Sequence, residues 1–310
     1  MLNYRYTAFS YRGTINGKAV SGNPSSIFLL DNEEEISRKT MSELGVIENY
    51  PMTCFVRQRT GLAASYDIFH YNLDGSQAYM CGSATMAAAC ILNELFGIDR
   101  VNFYFDTAPF TIKPASNLIV ASVESDGRVF LEQDIDDFNH INDKDADIEF
   151  IAMCLHLENS SLLEVIRAEK LNDLIFIVDS SISVRKMRPD FRALVSILDK
   201  LNVRNLCITA RSCERLFDFE TRIFVPHDNL DEDLACGSSA LPIASYWKRK
   251  INKSSFSVLF PYHMDYENGT IGGVQFIDLL GSRARVGGYC EAVAGSDVST
   301  DSRLLAGNGL

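Results

Sequence analysis

Two short stretches of this chain carry residues suited to proton chemistry: "YMCGSATMAAA" at residues 79–89 and "LACGSSALPIAS" at residues 234–245. Each sets a cysteine, Cys81 or Cys236, ahead of Gly-Ser and a run of small helix-forming residues. A helix N-terminus presents unpaired N–H groups and the positive end of its dipole. Those groups can lower a thiol from its ordinary pKa of about 8.5 and can hold a carboxylate. Gly82 and Gly237 let a carboxylate reach the backbone, and the candidate donors are the N–H groups of Gly82, Ser83, Gly237 and Ser238. Two thiols on opposite faces of one α-carbon would invert it. One, as thiolate, removes the α-proton while the other, as thiol, delivers a proton to the far face. The α-proton of an amino acid is feebly acidic, so exclusion of water and the N–H groups must stabilise the developing charge. This scheme calls for no metal and no pyridoxal cofactor. The other six cysteines, Cys54, Cys90, Cys154, Cys207, Cys213 and Cys290, lack the Gly-Ser context and read as packing residues.

Each thiol needs an element to hold it. In the first half, "RYTAFSYR" reads as a strand, followed by a Gly-Asn-Pro turn at residues 22–24 and a buried strand, "SIFLL". The segment "DNEEEISRKTMSELG" spaces Ile36, Met41 and Leu44 as a helix that ends on Gly45. Strands "MTCFVRQ" and "SYDIFHYN" follow, the second running into a "DGSQ" turn. The helix "SATMAAACILNELFG" is apolar nearly all round and must be enclosed. The polar stretch "FNHINDKDADIE" reads as a linker at residues 138–149.

In the second half the expected order is strand "FIAMCLHL", helix "SSLLEVIRAEK", strand "DLIFIVD", helix "DFRALVSILDKLN" and strand "NLCITAR". Strand "FETRIFVP" carries Thr221 and Arg222, then come a loop, "HDNLDED", and a second enclosed helix, "SSALPIASYWKRK". Strands with Gly-rich turns, "GTIGGVQFIDLL" and "ARVGGYCEAV", precede a loose tail, "GSDVSTDSRLLAGNGL". Strand, acidic loop, Cys-Gly-Ser and enclosed helix thus occur twice. The expectation is an α+β fold of two similar domains, residues 1–137 with Cys81 and 150–310 with Cys236, whose cleft brings the cysteines together. The last strand has the option of returning to the N-terminal domain.

Composition narrows the class. The chain has 310 residues, 46% hydrophobic and 23% charged, room enough for two domains. It has no apolar run of membrane-spanning or signal-peptide length, so a cytoplasmic protein without a membrane partner is expected. A net charge of −12 argues against a nucleic-acid partner. The eight cysteines form no CxxC pair and read as reduced thiols. The five histidines, His70, His140, His156, His227 and His263, are scattered, so no metal site is expected.

The stretches "FHYNLDGSQAYMCGSAT" and "DEDLACGSSAL" resemble the two cysteine motifs of diaminopimelate epimerase and its cofactor-independent amino-acid racemase relatives, histidine racemases among them. The chain also resembles the phenazine-biosynthesis PhzF-like branch of the same superfold, through "SGNPSSIFLL", "SELGVIENYPMTCFV", "RPDFRALVSILDKLNVRNLCI" and "FETRIFVPHDNLDEDLACGSSALPIASYW". The resemblance implies two pseudo-symmetric domains, each a curved sheet or barrel wrapped around a central helix, with the active site between them. PhzF-like isomerases typically have histidine where this chain has Ser83 and threonine where it has Cys236, so at these positions it sides with the racemases. Glu48 matches the PhzF-like general acid/base, followed by what looks like a small insertion, and Asp233 matches that branch's acidic motif residue. Either is an auxiliary acid or inherited scaffold. Asn23 and Asn72 match substrate-contacting asparagines, with turn formation as the alternative. Arg222 is a candidate partner for a distal substrate group, or a surface arginine. The small-molecule substrate implied is an amino acid more specialised than diaminopimelate. The resemblance leaves the assembly open, with a homodimer as one option.

Overall fold

The structure is a computed structural model that describes residues 1–31, 35–106, 117–158, 160–225, 230–261 and 270–293. The strands are β1 (Leu2–Ser10), β2 (Ala19–Val20), β3 (Asn23–Leu30), β4 (Met52–Gln58), β5 (Ser65–Asn72), β6 (Gln77–Ala78), β7 (Arg100–Phe105), β8 (Leu118–Val123), β9 (Arg128–Asp134) and β10 (Phe138–Ile141). They continue with β11 (Leu162–Ala168), β12 (Leu174–Val178), β13 (Leu206–Arg211), β14 (Phe219–Phe224), β15 (Glu232–Asp233), β16 (Ser255–Phe260), β17 (Thr270–Ile271), β18 (Gly273–Leu280) and β19 (Arg283–Ala292). The helices are α1 (Arg38–Glu48), α2 (Gly82–Phe96), α3 (Ala146–Cys154), α4 (Ser181–Lys186), α5 (Phe191–Lys200) and α6 (Gly237–Ile251).

Period-two alternation builds the first half. Ile27, Cys54, Val56 and Ile68 point inward to one core, whereas Phe28, Leu30, Phe55 and Tyr71 point outward to Met41 of α1. The inner core surrounds α2, whose residues Ala84, Met86–Ala89, Ile91 and Leu92 are all buried. Around it the strands close into a ring in the order β1, β3, β4, β5, β7, β8, β9, β19 and back to β1. β19, the last strand among the described residues, therefore completes the first barrel, and it also pairs with β18 of the second half. Gly287 is required there, because a Cβ at this position would drive into the Val129 carbonyl oxygen of β9.

The second half repeats the plan. The run β3 parallel to β4, antiparallel to β5, parallel to β7 and antiparallel to β8 recurs as β12, β13, β14, β16 and β18 with the same senses. Its inner face, with Ile175, Ile177, Cys207, Phe219 and Ile223, meets α6, and its outer face is covered by α3, α4 and α5.

Several local expectations are corrected. The polar stretch at 138–149 holds β10, paired with β11, and the start of α3. Asp145 caps α3 by accepting from the Asp147 N–H at 2.9 Å, and Ile148, Ile151, Ala152 and Leu155 give it one buried stripe, so "FIAMCLHL" is mostly helix. The segment "SSLLEVIRAEK" is instead strand β11, in which Val165 packs toward the outer helices and the adjacent Ile166 toward the core around α6, so that two neighbouring buried residues on opposite faces hide the alternation. Helix α1 passes Gly45 and ends on Asn49 in the left-handed conformation (φ 56°). Gly45 packs against β5 instead, where a Cβ would stand 3.2 Å from that of Tyr71. The expected loose tail, residue 226 at the end of the expected strand "FETRIFVP" and residues 227–229 of the acidic loop lie outside the described residues. Among the described residues no helix is long and apolar enough to cross a membrane.

Candidate active site

Cys81 and Cys236 are the N-cap residues of α2 and α6, both in extended backbone, and neither thiol is spent on capping. The backbone carbonyl of Cys81 accepts from the Thr85 N–H at 3.0 Å, and that of Cys236 from the Ala240 N–H at 3.3 Å. Hydroxyls stand beside both sulfurs: Ser83 Oγ is 3.1 Å from Cys81 Sγ, and Ser238 and Ser239 Oγ are 3.5 and 3.4 Å from Cys236 Sγ. Both cysteines are partly buried.

The two helix starts meet at one seam. A Cβ on Gly82 would lie 3.6 Å from Leu131 of β9, and one on Gly237 would lie 3.4 Å from Val286 of β19. Leu131 and Val286 are direct partners in the β9–β19 ladder. Asp233, on β15, acts on both sides of this seam, since its carboxylate raises the pKa of both thiols. Its Oδ1 accepts from Asn23 Nδ2 and from the Ala235 N–H, each at 2.9 Å, so a side chain of the first half ties down the acidic loop of the second.

The thiols do not shift in the direction that their helix termini alone would give. Burial pushes Cys81 up, against the Ser83 hydroxyl and the N–H groups of Ala84 and Ser83, which pull it down. Burial, then Asp233, pushes Cys236 up to about 11, against the Arg204 cation and the Ser239 and Ser238 hydroxyls. Desolvation outweighs the helix terminus in both.

Comparison with known proteins gives the family. The model of the phenazine biosynthesis-like protein family matches residues 16–270. The chain belongs to this family. An uncharacterized isomerase of Pseudomonas aeruginosa is 26% identical over 281 residues, covering 90% of this chain and 93% of its own. A putative phenazine biosynthesis PhzC/PhzF protein from Clostridium difficile has the same fold, with a TM-score of 0.74, 20% identity, and coverage of 94% of this chain and 97% of its own. A protein from Pseudomonas aeruginosa described as a predicted epimerase superposes with a TM-score of 0.67 at 16% identity, covering 96% of this chain and 99% of its own. The curated relatives that match along most of the chain, the 26% identical Pseudomonas aeruginosa protein and a second at 23% identity from Halalkalibacterium halodurans, are both named as uncharacterized isomerases.

Within this phenazine biosynthesis-like chain the remaining candidates separate. Glu48 ends α1 on the outer face of the first barrel, where its carboxylate accepts from Ser26 Oγ at 2.9 Å and meets Arg5 at 3.4 Å. Ser26 neighbours the inward-facing Ile27, so the sheet lies between Glu48 and the thiols. The inner position at the start of β4 is Met52, which packs against the same core as Cys81. Asn72 closes the turn after β5, donating to Ser76 Oγ at 3.0 Å. Arg222 is buried on the outer face of β14, bidentate to Glu232 at 2.7 Å and donating to the Val184 and Met187 carbonyls. It braces the β14–β15 hairpin that carries Asp233, and its donors are occupied by protein groups.

Sequence reasoning passed over Arg204 and Asp173. Fully buried Asp173 accepts two bonds from the Arg204 guanidinium, at 2.7 and 2.6 Å, and Arg204 also donates to Ser238 and Ser239 at 3.1 Å. The pair therefore holds the first turn of α6 and sets a positive charge beside Cys236. His70 was passed over as well. It is buried with Nε2 at 3.2 Å from Thr85 Oγ1, and burial lowers its pKa to about 3, which keeps it neutral.

Proposed function

We propose that this protein is a cofactor-independent racemase or epimerase that inverts the α-carbon of an amino acid, with Cys81 and Cys236 as its two bases. The observation that carries the reading is geometric: the two Cys-Gly-Ser helix starts pack against Leu131 and Val286, direct partners in the β9–β19 ladder, so that the two thiols open onto one seam. An α-ammonium paired with Asp233 would cancel the charge that opposes thiolate formation. The α-carboxylate would take the N–H groups at Gly82, Ser83, Gly237 and Ser238. Because burial makes each thiolate scarce, it also makes it a strong base once formed, which suits a weakly acidic proton.

The family match favours a second reading, an isomerase of the PhzF-like kind in which Glu48 moves the proton and the cysteines only line the pocket. The contacts of Glu48 with Arg5 and Ser26 on the outer face count against it. Proton NMR in D2O under reducing conditions, with a panel of L-amino acids, separates the two. The expected result is loss of the α-proton signal for one amino acid and appearance of its D-isomer, with inversion abolished by Cys81→Ser or Cys236→Ser and kept by Glu48→Gln. Exchange that survives both serine substitutions and disappears with Glu48→Gln would establish the second reading.

A further inference from the structure

Strand β18 alternates Val274 and Phe276, which face a small outer cluster with Ile15, Phe217, Leu259 and Ile271, with Ile277 and Leu279, which face the core around α6. The alternation turns Gln275 inward. Its side chain is 0% exposed, and among the described residues neither Oε1 nor Nε2 has a hydrogen-bond partner. A buried carboxamide with both ends unpaired is costly, and buried amides are ordinarily satisfied.

Its location gives the reason. Gln275 Nε2 lies 4.0 Å from where a Cβ on Gly237 would stand, directly after Cys236. Two residues earlier, Gly273 presses β18 onto the loop that carries Asp233, since a Cβ there would be 2.6 Å from that of Ala235. On the other side is Phe9, a buried aromatic residue held at φ 61°, whose ring would be 3.6 Å from the same Gly237 position. A left-handed conformation in a bulky residue is strained, and such strain gathers at ligand sites. An apolar side chain of similar volume would suit Phe9 and Val286 better than an amide. What the amide adds is one acceptor and two donors, the complement of an ammonium beside a carboxylate.

We propose that Gln275 is a substrate-binding residue whose carboxamide hydrogen-bonds the ammonium and carboxylate of the amino acid held against Cys236. The proposal rests on the racemase reading above. The test compares Gln275→Leu with wild type in two measurements, the melting temperature without ligand and the kinetics of α-proton exchange. The expected result is that KM rises about tenfold or more while kcat changes less, and that the free protein melts higher because an unpaired amide has been removed. A lower melting temperature with unchanged KM would overturn the proposal and make Gln275 a structural residue bonded to buried water. Gln275→Asn, which keeps the amide and withdraws its reach, should also raise KM, and an unchanged KM in it would count equally against the proposal. If wild-type protein exchanges no amino acid, the racemase reading has failed and this proposal falls with it, a result seen before any variant is made.

Discussion

A thiolate at Cys236 gives up hydration at the buried start of α6 and lies near the Asp233 carboxylate, and together these lift its pKa to about 11. Arg204 and two serine hydroxyls pull the other way without reversing the outcome. Cys81 is also raised and has no comparable cation among the groups acting on it. Near neutral pH both residues are therefore thiols, and the reactive form is a minor species. Below the pKa of the attacking thiol, its thiolate fraction rises tenfold per pH unit. On the racemase reading, the logarithm of kcat/KM for α-proton exchange should accordingly climb with a slope near one from about pH 7 and still be climbing at about pH 8.5, where free cysteine is half ionised. The climb ends at the lower of the two thiol pKa values, and the rate falls once the second thiol, which must stay protonated, ionises as well. A profile already flat by about pH 8 would mean that the thiols ionise as in free cysteine, and that burial and Asp233 do not govern them.

At the scale of elements, β19 is the strand on which the architecture depends, because it pairs with β18, β9 and β1. Gly287→Ala sets a Cβ against the Val129 carbonyl in the middle of the β9–β19 ladder. It should cost roughly 3 kcal/mol or more, read as a lower urea midpoint, since backbone at this seam has no room to retreat. A loss under about 1 kcal/mol would show that the ladder shifts freely. Elements whose identity rests on their own composition were legible in the sequence. Helices α2 and α6 follow from small and apolar residues all round, and their cysteines from the Gly-Ser that opens each helix. Elements whose pattern depends on neighbours were not. Strand β11 buries the adjacent Val165 and Ile166 on opposite faces and so shows no clean period, and the stripe of α3 emerges only with the cap at Asp145. The contacts that organise the site were invisible for a related reason. Asn23 and Asp233 are 210 residues apart, and Asp173 and Arg204 are 31 apart, ahead of separate strands, so no local pattern announces either pair.

For the whole molecule, the internal repeat invites the idea of two domains that fold independently, and chains of this length often unfold in such steps. The pairing pattern argues for one cooperative unit instead. Loss of the second sheet removes the strand that closes the first barrel, and loss of the first barrel leaves β19 unpaired along β9 and β1. The Asn23–Asp233 bond crosses between the halves at the site itself. Trp247, the single tryptophan, reports the second half from α6, stacked on Phe219 with ring centroids 6.1 Å apart and bonded through Nε1 to Thr209 at 3.1 Å. Far-UV circular dichroism reports both halves. In urea the two signals should share one midpoint, and Gly287→Ala should lower both by the same amount even though Trp247 lies in the other half. Separate midpoints, with helical signal persisting after the Trp247 change, would mean that the halves are true domains and that the seam between the two helix starts can open without unfolding either. A single midpoint ties the juxtaposition of Cys81 and Cys236 to global stability, so on the proposed racemase reading substitutions that loosen β19 should reduce inversion of the α-carbon without touching either thiol.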